Sequence, residues 1–480
     1  MKQTKIIATL GPATNTKDVL SKIIQEGVDV IRLNGSHYRD HSDVIKDVTL
    51  IRDVSKQVDK NVGIFFDLQG PKIRVGTFEK DGVILDTGQD FLIKKGADVI
   101  GNKQFCGLTT PDVIDDLKVG EPIYIDDGNV RLMIESISDD GVYCTVSQGG
   151  KVSNHKGVNL PVSDISMSAL TEKDIADVST AAKCNVDYIA LSFVSHENDV
   201  IELKNLIKSH GKNIGVISKI ERRSAVDNVV GIIEASDIIM VARGDLGVEV
   251  GLEKVPEIQK KTIRECNRFI TPVIVATQML ESMVSKPTAT RAEVSDVANA
   301  IYDRCDAVML SAETAVGDFP IEVIQSMSRI CVASDAHLSE LKQSKYSQVK
   351  RVFTIKTAAT TFCKAADQIA EEISADFLMA FTSTGKTARI ASKLIPSKPI
   401  IAPSDDIRVV QKMSLYRGVI PLLLTEKFKD INSWSEMIRI ALKNAKHAGI
   451  VSEGDTAIVT AGYPFGSPGG TNSIRMINVQ

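Results

Sequence analysis

Residues 62–74 read "VGIFFDLQGPKIR". The first part is a near-continuous apolar run, the pattern of a strand buried on both faces as in a parallel sheet. Within eight residues the chain then places Asp67, a Gly70–Pro71 break, Lys72 and Arg74. A strand that ends this way delivers charge to one end of a sheet. It also sends the chain off in a new direction.

Seven further runs have the same character: 5–10, 28–34, 187–193, 214–221, 237–245, 272–279 and 307–313. Amphipathic stretches such as "NTKDVLSKIIQEG" and "NDVIELKNLIKSHG" separate most of them. Eight β-then-α units predict an α/β fold, a (β/α)8 TIM barrel; a doubly wound open sheet is the alternative. One gap, 69–186, is far too long for a single helix. To about residue 160 it holds short alternating strands rich in Gly, Asp and Val, which predicts a small all-β domain inserted into the barrel. Gly70–Pro71 and "GVNLP" (157–161) are its expected hinges. After about 340 a Lys/Ser/Gln-rich stretch leads into a second α/β alternation. The predicted division is 1–70 with 161–340 for the barrel, 71–160 for the insert and 341–480 for a C-terminal α/β domain.

The bulk numbers fit an enzyme. The chain has 480 residues, 43% hydrophobic and 25% charged, enough for several cores. A net charge of −4 argues against a nucleic-acid binder. There is no apolar run of membrane-spanning length and no signal-peptide pattern, so no membrane partner is expected. Seven scattered cysteines without a CxxC pair suggest neither a disulfide framework nor zinc, and a reducing cytoplasm is the expected location.

In a barrel of this kind the active site lies at the C-terminal ends of the strands. Six strands bring charged or hydroxyl groups there: Arg32, Asn34, Ser36 and His37; Asp67 with Lys72 and Arg74; Lys219 and Glu221; Arg243, Gly244 and Asp245; Thr277; Ser311 and Glu313. Single polar residues often mark strand ends, but a packing core needs no such set. Glu221 and Asp245, from neighbouring strands, could share one hard cation, because Mg²⁺ takes a few carboxylates and completes its octahedron with water and substrate oxygens. Arg32, Arg74 and Lys219 surround that position with positive charge. The set suits phosphoryl transfer, which needs position and charge neutralisation more than covalent chemistry. Backbone N–H groups at Gly244 and Asp245, at an expected helix start, suit a carboxylate or phosphate.

Eleven segments, in order, resemble the signatures of pyruvate kinase along essentially the whole chain: "TKIIATLGPAT", "IRLNGSH", "DLQGPKIR", "IDDGN", "KGVNLP", "LSFV", "SKIE", "VARGDLGVE", "ATQMLESM", "PTATRAEVSDVANAI" and "LSAETAVG". The resemblance implies a barrel with an inserted β-barrel lid and a C-terminal α/β regulatory domain. It implies phosphoryl transfer from phosphoenolpyruvate to ADP with Mg²⁺ or Mn²⁺, in a homotetramer. Glu221 and Asp245 resemble the metal ligands, Lys219 the lysine that neutralises the phosphoryl group, and Arg32 the arginine that grips phosphate. Thr277, with the backbone at Gly244 and Asp245, resembles the cradle of the substrate carboxylate. Asn34, His37, Arg74 and Lys156 resemble nucleotide-side contacts, and Asp127 would face the cleft from the lid. "TSTGKT", Thr382, Ser383, Thr384, Gly385, Lys386 and Thr387, resembles an effector loop for a sugar phosphate or nucleotide. It is not a P-loop, because position 380 is Ala where that motif needs Gly. "GYPFGSPGGTNS" (462–473) falls where such a loop would close.

Two departures stand out. Many members carry Asn-Phe-Ser-His-Gly where this chain has "NGSHY" (34–38). Potassium-activated members carry Thr-Lys-Gly-Pro-Glu where this chain has "LQGPK" (68–72). There K⁺ sits near the counterparts of Asn34, Ser36 and Asp67. Lys72 looks like a built-in cation that replaces it, and K⁺ is not expected to be required. Two other readings fit the residues less well. A Mg²⁺-dependent lyase of pyruvate or phosphoenolpyruvate would need neither the lid nor Lys156. A non-catalytic scaffold would not keep Lys219, Glu221, Asp245 and Thr277 together.

Overall fold

A computed structural model of the chain describes residues 2–96, 99–163, 165, 167–343, 353–431, 433–462 and 470–480. The eight apolar runs become eight strands: β1 (Lys5–Thr9), β2 (Val30–Asn34), β3 (Gly63–Asp67), β4 (Tyr188–Leu191), β5 (Gly215–Ile220), β6 (Ile238–Ala242), β7 (Val273–Ala276) and β8 (Ala307–Leu310). All pair in parallel with their chain neighbours, and β8 closes on β1, with Lys5 opposite Ala307. The open-sheet alternative is excluded by this closure.

The apolar runs overshoot the strands at their C-terminal ends. The run 272–279 stops being strand at Ala276, because Thr277 and Gln278 take positive φ, 71° and 54°. The run 237–245 turns at Arg243 into a helix, Arg243–Val250. Buried residues recur just beyond both strands (Met279 and Leu246 are fully buried), so hydrophobicity alone does not mark these ends.

The insert has its own core, with Ile93, Ile123, Leu132 and Val142 fully buried. Its hydrogen bonding is carried by two sheets, one of six strands and one pairing Gly82–Leu85 with Gly150–Ser153. The hinge at Gly70 requires glycine twice over. Its φ is 68°, and a Cβ there would lie 2.8 Å from the Phe193 ring and 2.9 Å from Ser192 Cβ.

The C-terminal domain is a five-stranded sheet: β9 (Phe377–Ala380), β10 (Ile400–Ser404), β11 (Val419–Leu423), β12 (Thr456–Gly462) and β13 (Thr471–Asn478), in the order β11-β10-β9-β12-β13. It is fastened to the N-terminal mouth of the barrel. Leu415, fully buried, joins the barrel-interior cluster of Phe65, Tyr188, Met240 and Met309. Around this plug lie ion pairs removed from water: Arg417–Asp335 at 2.5 Å and Lys393–Asp306 at 2.6 Å. Backbone joins the two parts as well, Gly418 N–H donating to Gln3 C=O at 2.9 Å. Among the described residues no helix is long and apolar enough to cross a membrane.

Leu415→Ala should open a cavity at the barrel mouth and cost about 2–5 kcal/mol. Urea unfolding followed by circular dichroism and by Trp434, the single tryptophan, checks this. An unchanged midpoint would contradict the plug.

Candidate active site

The centre of the site is Asp67, the last residue of β3. Register sets it opposite Asn34 of β2 and Ala190 of β4. Its carboxylate is buried (2% side-chain exposure) and meets two cations: Arg32 Nε at 2.7 Å and Lys219 Nζ at 3.5 Å. Asp67 Oδ1 has no hydrogen-bond partner, so that oxygen is held by charge alone. Lys219 also reaches Glu221 Oε1 at 2.7 Å and donates to Ser192 Oγ at 2.8 Å. Ser192 in turn donates to Leu68 C=O. Arg32 Nη1 donates to Thr9 Oγ1 at 3.3 Å. An unbroken array therefore runs across the ends of β1, β2, β3, β4 and β5.

Electrostatics follow from this crowding. Burial works to lower the Lys219 ammonium pKa, but Asp67 and Glu221 overcome it and hold the group above the usual lysine range. Burial pushes the Glu221 carboxyl up; Lys219 pulls it back and the charge of Asp245 pushes it up further. Glu221 Oε2 accepts the Phe193 N–H at 2.8 Å, so the carboxylate is fixed in direction. Glu221, its proton affinity raised by burial and by the neighbouring Asp245 charge, forms with Asp245 beside a cation-lined floor a donor pair suited to a divalent ion. Among the described residues there is no group of three or more His, Cys, Asp or Glu that could hold a metal. The pair would thus leave most of an octahedral shell to water and substrate oxygens, which fits Mg²⁺.

Thr277 faces the start of the Arg243–Val250 helix. Gly244 N–H donates to Thr277 Oγ1 at 2.8 Å, and that hydroxyl donates to Ala276 C=O at 2.6 Å. Asp245 lies in the first helical turn, where N–H groups have no intrahelical partner. Ser311 Oγ is buried without a partner.

The remaining expected site residues are spread over the barrel rim, the insert and the C-terminal domain. Asn34 Oδ1 accepts the Ser36 N–H at 3.3 Å, and Ser36 and His37 are exposed. Arg74 donates to His155 C=O at 2.9 Å and Lys156 pairs with Asp126 at 2.8 Å, so both are tied within the lid. Asp127 lines a cleft of about 430 Å³ between the lid and the barrel helix Arg243–Val250. Lys72 is not brought to Asp67. Its Cε lies 3.4 Å from where a Cβ on Gly157 would sit, and no carboxylate among the described residues pairs with it within 4.0 Å. Thr382, Ser383, Thr384, Lys386 and Thr387 line a cavity in the C-terminal domain, closed by Phe428 and Thr471. Gly385 (φ 83°) caps the helix Lys386–Lys393 that follows. Of the segment 462–473, residues 463–469 lie outside the described ones.

The "NGSHY" departure has a packing cause. A Cβ at position 35 would come within 2.9 Å of Phe66 Cε1 and 2.6 Å of Asp67 C=O. The Tyr38 ring packs 5.9 Å from the Phe66 ring, and its hydroxyl donates to Asp47. Ser192 was not singled out from the sequence; its signal was a hydroxyl at the end of β4. The Asn159–Glu249 contact, 3.4 Å from hinge to barrel helix, had no sequence signal.

Comparison with known proteins gives a consistent result. Residues 1–324 match the family model "Pyruvate kinase, barrel domain", and residues 360–477 match "Pyruvate kinase, alpha/beta domain". A pyruvate kinase of Clostridium acetobutylicum is 39% identical over 99% of both chains. One of Staphylococcus aureus is 40% identical over 99% of this chain and 80% of its own. The crystal structure of a pyruvate kinase from Cryptosporidium parvum superposes with a TM-score of 0.92 at 34% identity, covering 100% of this chain and 96% of that one.

Glu221→Gln and Asp245→Asn should each weaken Mn²⁺ binding by at least about tenfold, since loss of outer-shell partners alone costs that much at metal sites. The electron paramagnetic resonance signal of free Mn²⁺ reads this directly. Wild-type affinity in both variants would remove them as ligands.

Proposed function

The chain belongs to the pyruvate kinase family, and on that premise we propose a form of its reaction that carries its own monovalent charge in Lys72. The reaction is phosphoryl transfer from phosphoenolpyruvate to ADP, giving pyruvate and ATP. The observation that carries the reading of the site is the Arg32–Asp67–Lys219–Glu221 array.

In this reading Glu221 and Asp245 hold the divalent ion the family uses, Mg²⁺. When bound, it supplies positive charge to the oxygens of the transferred group. Arg32, aimed by Asp67, grips the phosphate. Lys219 keeps its proton, as its two carboxylate neighbours ensure, and offers a fixed ammonium to the phosphoryl oxygens in passage. Thr277 and the N–H groups of Gly244 and Asp245 receive the substrate carboxylate. Asn34, His37, Arg74, Lys156 and Asp127 meet the nucleotide as the lid turns about Gly70–Pro71 and 157–161. Closure excludes water, so that ADP rather than water receives the phosphoryl group.

Lys72 belongs to the same motion. It lies two residues beyond Gly70, so its ammonium travels with the lid. In the closed form it would join Asn34, Ser36 and Asp67 in the pocket where potassium-activated relatives hold K⁺. A tethered ammonium carries the same charge without recruiting an ion. The domain limits at 70/71, 160/161 and 340/341 are those we propose, supported by sheet membership on either side. The cavity at 382–387 is proposed to take a sugar phosphate or nucleotide effector, with a cytoplasmic homotetramer as the working form.

Pyruvate formation in buffer free of K⁺ and Na⁺ should match that with KCl. Lys72→Glu should lower activity and make the remainder depend on K⁺. Wild-type activity only with KCl, or a K⁺-indifferent Lys72→Glu enzyme, would refute the role of Lys72 while leaving the kinase reaction in place.

A further inference from the structure

The turn after β7 has an unusual backbone. Thr277 and Gln278 both sit at positive φ although neither is glycine, and Thr277 is β-branched. Such a conformation persists only where its surroundings impose it. Here two side chains do so. The Arg243 guanidinium (10% exposed) donates through Nη2 to the carbonyls of Thr277 at 2.8 Å and Gln278 at 3.3 Å, and through Nη1 to Asp296 Oδ1 at 2.8 Å. Glu313, fully buried, accepts the Leu280 N–H at 3.2 Å and the Ser311 N–H at 2.7 Å. A cation holds the carbonyls of the turn and an anion holds its amide.

Arg243 also opens the helix whose next residue, Gly244, donates to Thr277 Oγ1. One side chain therefore ties together the two halves of the carboxylate cradle, the Thr277 hydroxyl and the helix N-terminus. We propose that Arg243, braced by Asp296 and opposed by Glu313, is the positioning residue that sets Thr277 for the carboxylate of phosphoenolpyruvate. It touches no substrate, and the inference rests on the cradle reading above. Lysine cannot take its place, because a point ammonium lacks the planar fork that reaches two carbonyls and a carboxylate at once.

The test compares three variants of the full chain by steady-state kinetics and thermal melting, with a fourth, Arg243→Ala, for chemical rescue. Thr277→Val examines the cradle itself, Arg243→Lys the fork, and Asp296→Asn the brace with the guanidinium left in place. The expected result is a higher KM for phosphoenolpyruvate in all three, with KM for ADP unchanged. For Arg243→Lys, kcat/KM for phosphoenolpyruvate should fall by about a hundredfold, the cost of misplacing a binding group by an ångström. The effect of Asp296→Asn should be smaller and in the same direction. Guanidinium ion at low millimolar concentration should partly restore phosphoenolpyruvate KM in Arg243→Ala, which a purely structural role would not produce. If Thr277→Val raises that KM while Arg243→Lys and Asp296→Asn leave it at the wild-type value, the positioning role is overturned and the cradle stands. If Thr277→Val leaves it unchanged, the cradle reading fails and this inference with it. A parallel rise in both substrates' KM together with a lowered melting temperature, without guanidinium rescue, would reduce Arg243 to a structural brace.

Discussion

A single buried carboxylate, Asp67, organises the catalytic face. Removing such a group from water costs several kcal/mol unless opposite charge meets it. It is met from two strands, by Arg32 of β2 and Lys219 of β5. Each cation is in turn oriented by neutral groups, Thr9 and Ser192. The directions of Arg32 and Lys219, the groups proposed to grip phosphate and to meet the transferred phosphoryl, are therefore fixed before substrate arrives. Little reorganisation is left for the moment of reaction, which is where electrostatic catalysis gains most. The same carboxylate marks the point where the chain leaves the barrel for the lid, three residues before Gly70.

Much of this was legible in the sequence. Eight apolar runs in a parallel-strand pattern predicted the barrel, and the overlong gap predicted the inserted β domain. Charges at the ends of the runs pointed to the residues that the fold gathers into the Arg32–Asp67–Lys219–Glu221 array, the proposed phosphoryl site. What stayed hidden were features that depend on backbone conformation or on distant side chains. The run ending in "ATQM" reads as strand through Met279 because its apolar residues extend to that position. The left-handed turn at Thr277 is imposed by Arg243 and Glu313, from elsewhere in the chain. The fastening of the C-terminal domain by Leu415, Arg417 and Lys393 was equally invisible, since their partners lie about 80 to more than 400 residues away.

The substitutions that separate this chain from the usual motif near the phosphate act as a set. Phe66 on β3 claims the space that a side chain at position 35 would use, so residue 35 is glycine. Tyr38 then packs on Phe66 from the other end of the same short turn. The aromatic bulk is relocated rather than lost, and Asn34 and Asp67 keep their register across β2 and β3. Lys72 answers a different pressure, since its position depends on a hinge and not on this packing.

The stopper at the bottom of the barrel has a consequence for how the molecule is made. Thr4, just before β1, is hydrogen-bonded to Arg417, 413 residues away in the chain. The barrel interior is complete only when Leu415 enters it. During synthesis the first strand emerges with its lower end open, and the chain must hold an unsealed apolar mouth until the domain that carries Leu415 leaves the ribosome. Contacts of such long range form slowly, because the entropy of closing the loop is lost before the contact returns anything. The barrel mouth is thus sealed by a segment far along the chain, and a chain released before that contact forms leaves apolar surface exposed to aggregation.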